Sequence, residues 1–480
     1  MAGVSHRLTA EDSSFFYIEE PTLPMHVGSV MVFTPGSRGL DHDRFVRIIG
    51  ERIADRHRYR QRVRAVPGRL AAPVWVDDPH FDLGYHVRRS ALPSPGTQGQ
   101  LEEFVARIVS RPLDRDRPLW EVYFVEGLEG GRVAVVTKAH QAMVDGIHAV
   151  DIAQLFVDPD AVAGDPADET PYAPSDVRLV ADAVLESVLS PRAAVESVRG
   201  GLRDISETGR RVAGTAGQVV STLAKVGTRP APDSPLNQPV GSARRFVAIE
   251  TDLEDYRRIR SRLTRGRYVE DVTVNDVVLA TVCGALRMWL QTRGLPVTAT
   301  TTVRAMVPVS VKTSGEDDTT LGETLAACFV DLPVGEGNPS MRLHQIAFGM
   351  RQQMESSAIE GVGAASLSSM GGFAPPTLHS LGARLGSAMT RRLFNLVITN
   401  VPGPQQAVDV AGSQLSATYP VMPLGRGQAL ALGLTSYDGK VYYGLNADRD
   451  AMPDLEVLAQ SIVEALGELR TAHRSRGSRT

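Results

Sequence analysis

The chain has 480 residues, 42% of them hydrophobic and 22% charged, with a formal net charge of −4. That length exceeds one ordinary hydrophobic core and predicts at least two packed lobes. The weak negative charge excludes broad nucleic-acid binding, which needs a basic excess to neutralise phosphates, and no window holds the apolar run that a membrane span requires. The N-terminus MAGVSHRLTAEDSSFF lacks the basic and apolar regions of a secretory signal. The two cysteines, Cys283 and Cys328, show neither a zinc-site spacing nor a disulfide framework. A cytoplasmic protein with reduced thiols is expected, and no metal is implied.

In chain order, alternating residues from Met25 to Phe33 predict a strand, and Phe45, Ile48, Ile49 and Ile53 share one face of a helix. A turn-rich and then extended stretch, WVDDPHFDLGYHVRRSALPSPG, leads to a second helix carrying Leu101, Phe104, Val105 and Ile108. Trp120, Val122 and Phe124 alternate as in a strand, Val133 to Thr137 form another, and Gly146 to Phe156 read as a helix. Asp, Pro and Ala dominate from Asp158 to about Pro174, and Pro, Asn and Ser from Thr228 to Ser242, so both stretches read as linkers. Between them, Leu185 to Leu223 repeat at helical spacing, either as a packed crossover between lobes or as an amphipathic surface that touches lipid.

A second lobe opens with a strand over Val247 to Thr251 and a long helix from Val274 to Gln291, stopped by Arg293 and Gly294. Thr302 to Ser310 form a strand, and LALGLTSY and KVYYGLNAD flank Asp438-Gly439, a strong hairpin signal. A terminal helix begins at Pro453, with Leu455, Leu458, Ile462, Leu466 and Leu469 on one stripe. The expected division is an N-terminal lobe over 1–157, a helical crossover with linkers over 158–242, a C-terminal lobe over 243–470 and a basic tail over 471–480.

The segment TKAHQAMVDGIHAVDI places a histidine, an acid and a glycine in a strand-to-helix turn, where side chains can face a cleft. By itself this is equally a structural histidine beside a turn and a helix cap. Other segments stand in a fixed order around it. They are LTAEDSSFF and PMHVGS around His26, Trp75-Val76-Asp77-Asp78-Pro79, Pro118-Leu119-Trp120, Asn275-Asp276 and Asn400-Val401-Pro402-Gly403-Pro404. In this order they resemble the bacterial wax ester synthase/diacylglycerol acyltransferase family over almost the whole chain. The resemblance implies an α/β, two-lobed CoA-dependent acyltransferase fold with the active site in a tunnel between lobes. It implies acyl-CoA as co-substrate without a cofactor, and diacylglycerol or a long-chain alcohol as acceptor. Peripheral association with a membrane or lipid droplet would suit such substrates.

The family's motif is His-His-x-x-x-Asp-Gly, and its second histidine is taken as the base that deprotonates the acceptor hydroxyl. Here His140 matches the first histidine, Gln141 stands at the second, and Asp145 and Gly146 complete the motif. An imidazole with a pKa near ~6.5 accepts a proton at neutral pH, and such catalysis is worth ~10²- to 10⁴-fold, whereas an amide can only orient or polarise. Three readings follow. His140, His148 or His26 supplies the base while Gln141 binds the alcohol, or positioning and oxyanion stabilisation suffice, or the protein binds lipid or acyl-CoA without catalysis. By resemblance Asp145 shapes the motif loop, Gly146 lets backbone approach the tunnel, and Asn275 and Asp276 border the site. Asn275 also reads as a helix N-cap, and Pro118 to Trp120 as a brace of the lobe. Condensation domains of peptide synthetases share the histidine motif, but the Pro-Leu-Trp and Asn-Val-Pro-Gly-Pro segments point away from them.

Overall fold

The computed structural model describes residues 7–36, 39–54, 56–69, 71–144, 174–189, 230–264, 272–312, 323–360 and 393–472. Helix α1 (Ala10–Ile18) starts where the Thr9 hydroxyl accepts the Asp12 N–H, and it leads through a tight turn into β1 (His26–Pro35). Helix α2 (His42–Ile53) buries Phe45, Ile49 and Ile53, the face its spacing predicts. Then come β2 (Gln61–Arg64), β3 (Val74–Asp77), a single helical turn α3 (Leu83–His86) and β4 (Val87–Ala91). Helix α4 (Gln98–Val109) opens with a reciprocal cap between Thr97 and Gln100. Strands β5 (Trp120–Glu126) and β6 (Val133–His140) are almost wholly buried, and the turn α5 (Gln141–Val144) follows β6 directly. Helix α6 spans Asp176–Leu189.

The second half contains β7 (Arg244–Asp252), α7 (Leu253–Thr264), α8 (Val274–Thr292), β8 (Val303–Lys312), β9 (Glu323–Leu332) and α9 (Pro339–Glu360). It continues with β10 (Leu396–Pro402), β11 (Asp409–Val410), β12 (Ser413–Val421), β13 (Leu430–Tyr437), β14 (Lys440–Asp448) and α10 (Leu455–Ala472). Asp438 and Gly439 both take positive φ between β13 and β14, the backbone a two-residue hairpin needs. Gly294 likewise ends α8 at positive φ.

Two six-stranded sheets organise these elements. One has the order β11-β12-β1-β6-β5-β4, the other β7-β14-β13-β10-β8-β9. The stretch expected to form the C-terminal lobe thus lends β11 and β12 to the N-terminal sheet, with β12 antiparallel to β1. The apolar core of the first sheet accordingly includes Tyr419 of β12, and Tyr437 and Tyr442 join it from β13 and β14 of the second sheet. Helices α8, α9 and α10 pack together over the second. Leu23 and Met25, between α1 and β1, pack with Leu424 and Ala431 in a small cluster that joins the halves.

Strands β1 and β6 pair so that His26 lies opposite His140 and Gly28 opposite Lys138. A Cβ on Gly28 would sit 2.0 Å from the Thr137 carbonyl oxygen, so glycine alone lets the strands approach this closely. Gly28→Ala is expected to destabilise the fold by about 1–3 kcal/mol through this forced displacement, read as a lower midpoint of urea denaturation.

Candidate active site

His140 is the last residue of β6 and Gln141 the first of α5, so the first two motif residues sit where a strand passes into a helical turn, while the helix expected over Gly146 to Phe156 lies outside the described residues. Three backbone hydrogen bonds fix it. The His140 N–H donates to the Leu119 carbonyl at 2.9 Å, the Gln141 N–H to the Met25 carbonyl at 2.9 Å, and the Ala142 N–H to His140 Nδ1 at 3.1 Å. The last bond occupies the Nδ1 lone pair, which leaves the proton of the neutral ring on Nε2. Nε2 faces Glu19 Oε2 across 3.7 Å, and one face of the ring stacks on Phe16 with centroids 4.3 Å apart. His140 is 1% exposed. Neither nitrogen offers a lone pair to a substrate hydroxyl.

His26 is also buried, with its ring 6.4 Å from that of His140. Its Nε2 accepts the Leu113 N–H at 3.4 Å and lies 3.8 Å from Glu19 Oε1. Burial first, then the nearby charge of Lys138, pushes its pKa well below the usual histidine value, so it is held neutral. With Nε2 accepting, its proton sits on Nδ1, a buried atom without a hydrogen-bond partner among the described residues.

Between the two rings lies Glu19, at the C-terminus of α1. Its Oε1 accepts the Met25 N–H at 3.3 Å, and its Oε2 contacts His140 and the Arg115 guanidinium. Burial alone would raise this carboxyl, but His140 and then Arg115 outweigh it and hold the group down at about 2. Sequence reasoning passed over Glu19 and Arg115. The available signal was an acid in the last turn of a helix, where the macrodipole disfavours it and a partner is needed.

Behind the motif, Lys138 is buried and its Nζ lies 3.2 Å from Glu121 Oε2. It also donates to the Arg111 carbonyl at 2.9 Å and the Ile108 carbonyl at 3.4 Å, placing a cation at the C-terminus of α4. Glu121 takes two further partners, Arg88 at 3.0 Å and the Tyr123 hydroxyl at 2.8 Å. Trp120 is fully buried, donates Nε1–H to the Tyr59 carbonyl at 2.8 Å and stacks on His86. Pro118 to Trp120 therefore brace the lobe, and through Leu119 they hold the His140 peptide.

A second group of expected site residues comes together on the other sheet. Asn400, near the end of β10, donates Nδ2–H to Asn275 Oδ1 at 3.2 Å. The N-cap of α8 is Thr273 and not Asn275. Asp276 Oδ2 accepts the Thr273 N–H at 2.7 Å and its hydroxyl at 2.8 Å, while the Thr273 hydroxyl accepts the Asp276 N–H at 3.2 Å. Desolvation pushes the Asp276 carboxyl up. Thr-x-x-Asp is itself a capping signature and marks this start in the sequence. Asp145, Gly146 and His148 lie outside the described residues.

Residues 8–278 match the model of the wax ester synthase/diacylglycerol acyltransferase catalytic domain, and residues 321–470 match that family's C-terminal domain. The chain belongs to this family. A probable diacylglycerol O-acyltransferase, tgs2, of Mycobacterium tuberculosis is 33% identical over 476 residues, covering 96% of this chain and 98% of that one. A second from the same organism, tgs3, is 39% identical over 263 residues, covering 53% and 96%. The wax ester synthase/diacylglycerol acyltransferase of Marinobacter aquaeolei VT8 has a similar structure, with a TM-score of 0.65 and 28% identity over 98% of this chain and all of that one. The first condensation domain of the CDA synthetase shares the fold at a TM-score of 0.54 and 15% identity. Against this family background, the two-lobed α/β architecture expected from the sequence holds.

Proposed function

We propose that this acyltransferase moves a fatty acyl group from acyl-CoA to the free hydroxyl of diacylglycerol, and that Gln141 orients this hydroxyl without taking its proton. The assignment of acceptor is supported by relatives named diacylglycerol O-acyltransferase at full-length coverage. The absence of a base is supported by one observation above the rest. In His140, the remaining imidazole of the motif, Nδ1 spends its lone pair on the Ala142 N–H, and Nε2, left to carry the proton of the neutral ring, faces Glu19 at 3.7 Å without a hydrogen-bond partner among the described residues.

In the reaction the acceptor oxygen attacks the thioester carbonyl, the new C–O ester bond forms, and the C–S bond breaks. The hydroxyl proton leaves with the CoA sulfur, so no proton is gained or lost overall. Gln141 can accept that proton's hydrogen bond through Oε1 while the attack proceeds, and the rate then rests on positioning and on stabilisation of the developing oxyanion. His140 and, by family resemblance, Asp145 and Gly146 shape the turn, and Asn275, Asp276 and His148 border the substrate. Acyl-CoA enters as co-substrate, and no separate cofactor is required.

Long-chain alcohols, giving wax esters, are the second acceptor class, supported by the paired activities in the name of the similar Marinobacter enzyme. Both acceptors dissolve in membranes or lipid droplets, whereas among the described residues no helix is long and apolar enough to cross a membrane. The apolar character of both acceptors supports a peripheral encounter at a membrane or lipid-droplet surface.

The direct test incubates purified protein with labelled palmitoyl-CoA and vesicles carrying either diolein or hexadecanol. Labelled triacylglycerol is expected from diolein, with slower ester formation from hexadecanol. Bound palmitoyl-CoA with no ester from either acceptor would replace this reading with that of a non-catalytic acyl-CoA-binding protein.

A further inference from the structure

The carboxylate of Glu19 has no role in the reaction as described so far, yet it sits at the centre of the polar group behind Gln141. It is expensive to keep there. Its side chain is 8% exposed, and an anion so far from water costs several kcal/mol before its partners compensate. It also caps the C-terminus of α1, the end of a helix that disfavours negative charge. The pairing of β1 with β6 does not require it, because Glu19 lies in neither strand.

Its contacts converge on one point. Oε1 accepts the Met25 N–H at 3.3 Å, and the carbonyl of the same Met25 accepts the Gln141 N–H at 2.9 Å. Oε2 faces Nε2 of His140 at 3.7 Å, whose Nδ1 accepts the N–H of Ala142 on the other side of Gln141. The peptide units on either side of Gln141 are therefore both referred back to one carboxylate. Arg115, which is exposed, completes the group from outside and lies 5.6 Å over the ring of Phe16.

We propose that Glu19 is a positioning residue for acyl transfer, acting through Met25 and His140 to set the place at which the Gln141 side chain meets the acceptor hydroxyl. The inference rests on the function proposed for Gln141. Displacing a catalytic group by about 1 Å can cost on the order of 10²-fold in rate, so a small shift of this hub is enough to matter.

The test is a double-mutant cycle of Glu19→Gln and Gln141→Ala, read as kcat for acyl transfer to diolein, KM for palmitoyl-CoA and the thermal midpoint. Glu19→Gln keeps an acceptor for the Met25 N–H but removes the charge facing the histidine and the arginine. Its kcat is expected to fall about 10- to 10²-fold with KM for palmitoyl-CoA within about twofold of the natural protein. In the Gln141→Ala background the same substitution should change kcat by less than about threefold, because the group through which it acts is gone. A purely structural glutamate would give the same fold loss in both backgrounds, and that outcome, or an unchanged kcat in Glu19→Gln alone, overturns the assignment. Should Glu19→Gln fail to fold, Arg115→Gln, at an exposed position, takes its place in the cycle, with a loss of about three- to fivefold confined to the background that retains Gln141. A natural protein inert toward both acceptors would instead overturn the function itself, whereas an active one with equal losses in both backgrounds overturns only the role of Glu19.

Discussion

Gln141→His is expected to raise kcat for acyl transfer to diolein by about 10²-fold, at the lower end of what a general base contributes. The turn is prepared for the exchange. Residue 141 is held through its backbone N–H to the Met25 carbonyl, and the bonds on either side involve the peptides of His140 and Ala142, so none of them depends on the glutamine side chain. Gln141 is itself partly exposed at the start of α5, which leaves room for a ring. An imidazole there, with an ordinary pKa near ~6.5, takes a proton only when neutral, so the variant's rate should climb as pH rises through that value. Steady-state kinetics from pH 5 to 9 check both effects. A variant that is no faster and shows no new pH limb would mean that the side chain at 141 does not face the acceptor.

Lys138→Met is expected to lower the free energy of unfolding by about 3–5 kcal/mol, the usual consequence of removing one partner of a buried ion pair. The ammonium it deletes compensates Glu121 and two carbonyls at the end of α4 at once. Arg88 remains with Glu121, so the carboxylate keeps one cation but loses its buried one. The damage should reach the active site, because Lys138 precedes His140 by two residues on the same strand face. Urea denaturation followed by tryptophan fluorescence measures the loss. The double variant Lys138→Met with Glu121→Gln should recover part of it, since the isolated charge is then removed too.

Local pattern made much of this molecule legible. Helices α2, α4 and α8 carry apolar residues at helical spacing, Gly294 stops α8 at positive φ, and Asp438-Gly439 marks the last hairpin through its demand for positive φ. The motif's place at the end of β6 was equally readable. Strand β12 was not, because its pairing with β1 spans nearly four hundred residues and leaves no local trace, and β11 joins the sheet only through β12. Glu19 escaped for the same reason. A lone glutamate at a helix end looks solvated until the fold brings His26, His140 and Arg115 around it. Asn275 was placed two positions late as a cap because asparagine's general preference outweighed the Thr-x-x-Asp signature beside it.

On the proposed mechanism this family member transfers acyl groups without an imidazole base at its motif. The pH dependence of kcat/KM for palmitoyl-CoA and diolein, measured on the natural protein from pH 5 to 9, tests it most directly. The expected profile has no limb near pH 6.5, while Gln141→His acquires one. A limb near pH 6.5 in the natural protein that disappears in His148→Ala would overturn the base-free mechanism and return the proton to a histidine.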